Sequence, residues 1–111
     1  MGDKVFMILQ IAHVWKGKKH AFIIDDNDYE KIKQYRWCKD PGGYIYGYEP
    51  PVKRNGNKTI MLSRLIMNAP KGMEVDHVNG KIFDNRKQNL RICSHRENIK
   101  YYLRKKNRRE I

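Results

Sequence analysis

Residues 74–80 read EVDHVNG, and the same segment continues with DNR at 84–86 and NLR at 89–91. This stretch sets a carboxylate, Asp76, directly before a histidine, His77, and then returns through a loop rich in Asn and Gly. Asn-Gly steps favour tight turns, so the stretch predicts two strands joined by a loop. No other part of the sequence has so many chemically capable side chains at such short spacing.

The second strand and the start of a helix follow at once. The strand is predicted over Asn89–Cys93, with Leu90 and Ile92 on one face. Ser94 and Glu97 then match a capping box, in which a serine and a glutamate three residues later satisfy each other's backbone N–H groups. A C-terminal helix is therefore expected to start at Ser94.

That helix places Asn98 at its fourth position, where the side chain is expected to face back toward the two strands. Ile99, Tyr102 and Leu103 recur at helical spacing and are expected to form its buried stripe. The opposite side is basic and suited to a phosphate backbone. Its residues are Lys100, Arg104, Lys105, Lys106, Arg108 and Arg109.

The chain before residue 74 predicts short strands interrupted by two short helices. The strands are expected at 5–11, 20–24, 36–39, 44–48 and 59–62, and the helices at 29–35 and 64–67. Asp25–Asp28 and Ser63 supply candidate helix N-caps. Tyr44, Tyr46 and Tyr48 share one strand face, which can pack on a helix or stack on nucleotide bases.

These elements predict an α+β fold. An N-terminal antiparallel β-sheet with short helices is expected first, followed by a strand–strand–helix (ββα) unit that ends in a basic C-terminal helix. At 111 residues the chain is expected to form a single domain over residues 1–111.

The chain is strongly basic, with 24 Lys and Arg against 12 Asp and Glu and a net charge of +12. The excess is uneven, since residues 1–30 carry −1 while residues 31–73 and 74–111 carry +7 and +6. Basic clusters gain affinity for nucleic acids by releasing the counterions condensed on phosphates. The distribution therefore favours a polyanionic partner over a merely soluble basic surface.

Cys38 and Cys93 have no CxxC or CxxH neighbour, which argues against a structural zinc site and against a disulfide framework. The apolar run 5–15 is too short to span a membrane and is interrupted by Gln10 and His13. We expect a soluble, intracellular protein with no membrane partner and with reduced, buried cysteines.

Hydrolysis of a phosphodiester needs a group that deprotonates water, a positive charge at the phosphate and help for the departing oxygen. A histidine can take the proton, and a divalent cation held by Asp and Asn oxygens can act on the phosphate. Asp76 and His77 point to opposite faces of a regular strand, so both serve one site only if the strand ends or twists there. Followed by a helix that carries Asn98, they form a strand–strand–helix cradle for a metal.

The segments that carry a resemblance to a known family are 75–80, 84–86, 89–91 and 97–98. Together they resemble the motif of the HNH endonucleases, and above all the variant in phage-encoded, free-standing homing endonucleases and their nicking relatives. The resemblance implies a metal-dependent DNA endonuclease. It implies a β-rich, DNA-contacting portion at 1–73 and the ββα-metal motif with its helix at 74–111.

The resemblance also implies a role for each matching position. His77 is implied as the general base that activates water, and Asn89 as the residue that braces the loop and orients the His77 ring. Asp76 and Asn98 are implied as the protein ligands of a single Mg²⁺ or Mn²⁺. His95 is a rival to Asn98 for the ligand position, and the products would carry 5′-phosphate and 3′-hydroxyl ends.

Double-stranded DNA is the implied partner. The positions expected to contact it are Lys100, Arg104, Lys105, Arg91, Arg64 and Arg54. For Arg91, contact with phosphate and exposure to solvent are equally open. One site cuts one strand, so a monomer is expected to nick, and a possible homodimer would break both strands.

Asn79 and Asn85 are expected to be loop residues rather than catalysts. Two features depart from the family pattern. Leu62-Ser63 stands where many relatives carry His, and the chain stops at Ile111 where many continue into a DNA-binding module, which predicts a short recognition site.

Two other functions remain open beside the nuclease. One is a non-catalytic DNA- or RNA-binding module that keeps the fold, and the other is a phage packaging accessory protein. The expected location is the cytoplasm of a bacterial or phage-infected cell.

Overall fold

The computed structural model describes residues 6–10, 20–51, 56 and 58–109. Its strands are β1 Phe6–Gln10, β2 Ala21–Asp25, β3 Arg36–Lys39, β4 Ile45–Tyr48, β5 Thr59–Met61, β6 Glu74–His77 and β7 Leu90–Cys93. Its α-helices are α1 Tyr29–Ile32, α2 Leu62–Met67 and α3 His95–Arg109, and short 3₁₀ turns cover Asp26–Asp28 and Lys87–Asn89. This mixed content of helix and strand confirms the α+β prediction.

The described strands form three small antiparallel sheets: β1–β2, β3–β4–β5 and β6–β7. The prediction of one N-terminal sheet was therefore wrong, because the described strands before residue 74 belong to two sheets. The helical segment 26–32 separates β2 from β3, and its Ile32 is fully buried. The chain thus leaves the first sheet to cover the core before the second sheet begins.

One core joins the two halves of the chain. Phe22 and Ile24 alternate along β2 and are both buried, as one face of a strand requires. They pack in a cluster that extends to Leu90 in β7. The other members of this cluster are Ile32, Trp37, Ile45, Leu62 and Ile66. The two portions of the chain, 1–73 and 74–111, therefore contribute to one core.

The buried Trp37 requires a glycine on the neighbouring strand. Gly47 lies opposite Trp37 in the β3–β4 register, and a Cβ atom there would lie 2.6 Å from the indole ring. The indole N–H donates to the Ile32 carbonyl at 3.0 Å, so the polar edge of the ring is also satisfied.

The antiparallel pair β1–β2, the first hairpin, holds the loop that connects β6 to β7. Ile23 N–H donates to the Phe83 carbonyl at 2.9 Å, and Asn85 N–H donates to the Ile23 carbonyl at 2.8 Å. Asp25 adds a side-chain contact, because its Oδ2 accepts the Lys87 N–H at 2.8 Å. Residues that are distant in the sequence thereby fix the loop 78–89.

Of the predicted N-caps upstream, Asp25 and Asp28 occupy N-cap positions of the 3₁₀ turn and of α1, whereas Ser63 was wrong. Helix α2 begins at Leu62 directly after β5, with Met61 at the N-cap, so Ser63 lies inside the helix and is buried. Neither Asp25 nor Asp28 makes a side-chain capping bond. By contrast, the capping box of α3 is confirmed, since Glu97 N–H donates to Ser94 Oγ at 3.1 Å and Ser94 N–H donates to Glu97 Oε1 at 2.9 Å.

The prediction that the apolar residues of α3 form a buried stripe was wrong. Ile99, Tyr102 and Leu103 are 47%, 61% and 49% exposed. Instead, the helix contacts the β6–β7 hairpin through Asn98, Lys105 and the Tyr101 ring. The Tyr101 ring stacks on Arg91. The hairpin presents charged groups to this helix, so polar side chains and a ring stacked on a guanidinium make these contacts.

Both cysteines are free thiols; Cys93 is buried and Cys38 is half-buried. Across the described ranges, no helix combines the length and the apolar character needed to cross a membrane. Arg54, one of the residues expected to contact DNA, lies outside the described residues.

Candidate active site

Asp76 and His77 stand together at the end of β6 and line one cavity of about 480 Å³. The chain turns directly after His77, because Gly80 N–H donates to the His77 carbonyl at 2.9 Å. Gly80 adopts a φ of 77°, a region that favours glycine. The strand therefore ends where the two adjacent side chains must share a site, as the sequence required.

Asn85 fixes the His77 ring. Its Oδ1 lies 3.0 Å from His77 Nε2, and its Nδ2 donates to the Ile82 carbonyl at 3.2 Å, which sets the orientation of the amide. An amide oxygen only accepts hydrogen bonds, so Nε2 carries the proton and donates it. The neutral ring keeps its lone pair on Nδ1, and Nδ1 is the atom that can accept a proton from water.

The environment of His77 favours this neutral form. Burial lowers the pKa of His77 below its ordinary value, against the opposing effects of the Asn85 hydrogen bond and the Asp76 charge. A neutral imidazole is the form that acts as a general base.

Both oxygens of the buried Asp76 carboxylate are paired with cations. Arg91 lies opposite Asp76 in the strand register, and its Nε and Nη2 each lie 2.9 Å from Asp76 Oδ2. Lys105 Nζ lies 2.5 Å from Asp76 Oδ1. Tyr101 stacks on Arg91, with the guanidinium carbon 3.4 Å from the ring centroid. Arg91 is thus held between a carboxylate and an aromatic ring.

Asn98 faces the hairpin from the fourth position of α3. Its Nδ2 donates to Glu74 Oε1 at 2.7 Å, and His95 Nδ1 lies 2.7 Å from Glu74 Oε2. The hydrogen bonds from Asn98 and His95, in that order, lower the pKa of the Glu74 carboxyl. Asn98 and His95 both line the cavity, so the choice of Asn98 over His95 as a ligand stays a prediction.

Two side chains that line this cavity carry oxygen donors of the kind that a hard divalent cation prefers. Asp76 offers carboxylate oxygens, and Asn98 offers an amide oxygen that its bond to Glu74 does not use. Mg²⁺ and Mn²⁺ prefer oxygen ligands, and Mg²⁺ keeps several waters, so two protein donors suffice. In the part of the chain that the structure describes, no group of three or more His, Cys, Asp or Glu side chains could hold a metal.

Asn89 braces the loop that joins β6 to β7. Its Oδ1 accepts the Asn79 N–H at 2.9 Å, and its Nδ2 donates to the Asp84 carbonyl at 2.8 Å. The structure thus places Asn89 on the loop backbone, as expected. The contact with the His77 ring that was expected of Asn89 is made by Asn85.

Residues 68–100 match the family model described as HNH endonuclease. The match supports the HNH family for this segment, and HNH nucleases act on DNA. The segment contains β6, β7 and the loop between them, together with Asp76, His77, Asn89 and Asn98. No curated protein and no solved structure matches the chain.

Within the HNH segment, residues 68–100, Asp84 anchors the second half of the loop. Arg86 Nε and Nη2 donate to its two carboxylate oxygens at 2.8 and 2.7 Å, and Asn79 Nδ2 donates to Oδ2 at 3.1 Å. The Arg86 hydrogen bond is the main cause that holds the pKa of the Asp84 carboxyl below its ordinary value. The loop is therefore tied together by a buried carboxylate as well as by Asn89.

The basic residues expected to contact DNA fall into different environments. Lys100 and Arg104 are exposed on α3. Lys105 and Arg91 are paired with Asp76. Their contact with DNA stays a prediction.

Arg64 lies before the β6–β7 hairpin and has a structural role there. Its guanidinium donates to the carbonyls of Ala69, Pro70 and Met73. These carbonyls belong to the turn that leads into β6. Arg64 therefore braces the entry to the hairpin, and no contact with phosphate is needed to explain it.

The sequence interpretation missed three site residues of different kinds. Glu74 could have been found, because it lies two residues before Asp76 and a strand repeats every two residues. Asn85 carried no usable signal, since its contact with His77 depends on how the loop closes. Lys105 was predicted as a DNA contact only, and its position inside the cavity depends on the packing of α3.

Proposed function

We propose that this protein is a divalent-metal-dependent DNA endonuclease that cuts one strand at a time. The observation that carries the proposal is the His77 ring, held by Asn85 in the tautomer that leaves Nδ1 free to accept a proton, beside Asp76 in one cavity. The match of residues 68–100 to the HNH endonuclease model supports the same chemistry. The resemblance to phage-type homing and nicking enzymes supports the finer assignment.

In this mechanism His77 Nδ1 takes a proton from the attacking water, while Asn85 keeps the ring in place. Asp76 and Asn98 would hold one Mg²⁺ or Mn²⁺. Such a cation, when bound, supplies Lewis-acid stabilisation of the phosphate and the leaving oxygen. The proposed products are a 5′-phosphate and a 3′-hydroxyl.

The proposed substrate is double-stranded DNA, drawn to a chain of net charge +12. Exposed basic residues on α3, such as Lys100 and Arg104, are proposed to contact the phosphate backbone. Since the proposed site would act on one strand at a time, a monomer would nick. Cleavage of both strands would need a second subunit or a second event.

The test is relaxation of supercoiled plasmid, followed by mapping of the cut ends on each strand. Wild-type protein is expected to nick with Mg²⁺ or Mn²⁺ and to stop when a chelator is in excess. His77→Ala is expected to lose at least ~100-fold in rate, the usual contribution of a general base. His20→Ala is the matched control, because His20 is not among the residues that line the cavity. Full activity of His77→Ala, or full activity of the wild-type protein in the presence of excess chelator, would contradict the proposal.

A non-catalytic nucleic-acid-binding module is the second candidate. It is favoured by the pairing of both Asp76 oxygens with Arg91 and Lys105, which leaves the carboxylate neutralised. Tight, salt-dependent DNA binding without cleavage across several metals would support this candidate over the nuclease.

A further inference from the structure

Lys105 places a positive charge inside the candidate active site. Its ammonium lies 2.5 Å from Asp76 Oδ1 and 2.6 Å from the His77 carbonyl oxygen. The Lys105 side chain is 18% exposed, although it belongs to a basic helix whose other lysines and arginines mostly face solvent. A carboxylate and a carbonyl are also the oxygen types that hard divalent cations bind.

The second cation on Asp76 is held differently. Arg91 is fixed by the β6–β7 register and by its stack on Tyr101. Lys105 reaches the site from α3 at the end of a flexible four-carbon side chain. Of the two cations, Lys105 is therefore the one that can leave without breaking an aromatic stack.

Lys105 contacts an oxygen of Asp76, which is one of the two proposed metal ligands. Asn98 and Lys105 are separated by about two turns on the same face of α3, and both line the cavity with Asp76. An ammonium in contact with Asp76 Oδ1 excludes a divalent cation from the same oxygen and repels it electrostatically.

We propose that Lys105 is the resident cation of this site, which occupies the metal position when no metal is bound and is displaced when a divalent ion enters. The inference rests on the metal site of the proposed function. Lys105 keeps the buried Asp76 carboxylate neutralised in the metal-free protein. It also lowers the apparent affinity for the metal, because its contact with Asp76 must be broken first.

The test is the affinity for Mn²⁺ of the full chain without DNA, measured by isothermal titration calorimetry. Lys105→Met, which removes the charge and keeps the length, is expected to bind Mn²⁺ about tenfold more tightly than wild type, as loss of a neighbouring unit charge implies. Lys105→Arg keeps a positive charge and is expected to stay near wild type. The matched control is Lys106→Met, which removes a charge from the same helix and cavity without a contact to Asp76.

The comparison between variants decides the result. A larger gain in Mn²⁺ affinity for Lys105→Met than for Lys106→Met supports the proposal, and an equal or smaller gain overturns it. Circular dichroism verifies that each variant is folded. Asp76→Ala, alone and combined with Lys105→Met, is expected to abolish the binding, and persistent binding in the double variant would also overturn the proposal.

Failure of this inference is distinguishable from failure of the proposed function. If Lys105→Met gains affinity while the wild-type protein never cleaves DNA, the resident cation stands and the nuclease does not. If the wild-type protein cleaves DNA with metal while Lys105→Met gains nothing, only the resident cation is lost.

Discussion

At the scale of single residues, the chemistry of the site depends on which nitrogen of His77 carries a proton. Asn85 decides this, because its oxygen accepts from Nε2 while its own N–H is committed to the Ile82 carbonyl. The ring cannot turn over without losing this bond in a buried site, and an unmet buried hydrogen bond is costly. Asn85 is therefore a positioning residue that acts through His77.

Removal of Asn85 is expected to slow the chemical step rather than weaken DNA binding. For Asn85→Ala we expect a fall of about 10–100-fold in the single-turnover nicking rate at saturating DNA, which is typical when the partner of a site residue is lost. The dissociation constant for DNA, measured by fluorescence anisotropy with a chelator present, is expected to stay unchanged.

Lys81→Ala is the control for this prediction, since Lys81 is an exposed residue of the same loop. It is expected to keep the wild-type rate at saturating DNA. Equal rates for the two variants would show that the hydrogen bond to His77 does not matter for cleavage.

At the scale of elements, the loop between β6 and β7 depends on a buried charge. Asp84 receives two hydrogen bonds from the Arg86 side chain, one from the Arg86 backbone N–H and one from Asn79. The same loop is attached to β2 through backbone bonds of Ile23. The loop is therefore held both by hydrogen bonds among its own polar residues and by backbone hydrogen bonds to β2.

This charge makes a contribution to stability that depends on pH. The pKa of Asp84 is held below its ordinary value of about 3.8, mainly by the Arg86 hydrogen bond. A carboxyl with a lowered pKa stabilises the fold above its ordinary pKa, and the contribution is lost as the pH falls through the folded-state pKa. Asp84→Asn is therefore expected to be less stable than wild type at pH 7, and the difference is expected to shrink below pH 4.

Urea denaturation at several pH values between 3 and 7 measures this difference in the free energy of unfolding. Asparagine has nearly the size of aspartate and lacks its charge, so it isolates the ionic contribution. A difference that stays constant down to pH 3 would contradict the role assigned to the Asp84–Arg86 pair.

For helix α3, the sequence predicted where the helix begins but not which of its faces is buried. Its start follows from the local capping box of Ser94 and Glu97. Its apolar residues obey helical spacing, yet Ile99, Tyr102 and Leu103 are about half exposed. Spacing determines which side chains share a face, but the neighbouring hairpin decides which face is covered.

At the scale of the whole molecule, the positive charge of residues 31–111 is expected to make DNA affinity depend on salt concentration. Each phosphate contact by Lys or Arg adds about one unit to the slope of the logarithm of the DNA affinity against the logarithm of the salt concentration. The double variant Lys100→Ala with Arg104→Ala is therefore expected to lower this slope by about two units.

Fluorescence anisotropy between 50 and 200 mM salt, about the range in which such contacts weaken strongly, measures the slope. The control is Lys33→Ala, because Lys33 pairs with Glu30 at 2.6 Å on α1. An unchanged slope in the double variant would place the DNA contacts on another surface of the protein.

The sequence by itself determined the features that depend on local spacing. The turn after His77 and the capping box at Ser94 are each encoded within a few positions, and the family match lies within the single segment 68–100. Backbone preferences and short-range hydrogen bonds act over such distances, so a single sequence suffices to read them.

Only the tertiary structure decided which side chains meet in the site. Asn85 contacts His77 because Ile23 of the first hairpin holds the loop closed, and Lys105 reaches Asp76 because α3 packs across β6. These contacts join residues that are far apart along the chain or lie in an irregular loop, where periodicity gives no direction. The tautomer of His77 and the resident cation of Asp76 are therefore properties of the folded molecule, set by packing and burial rather than by the spacing of residues.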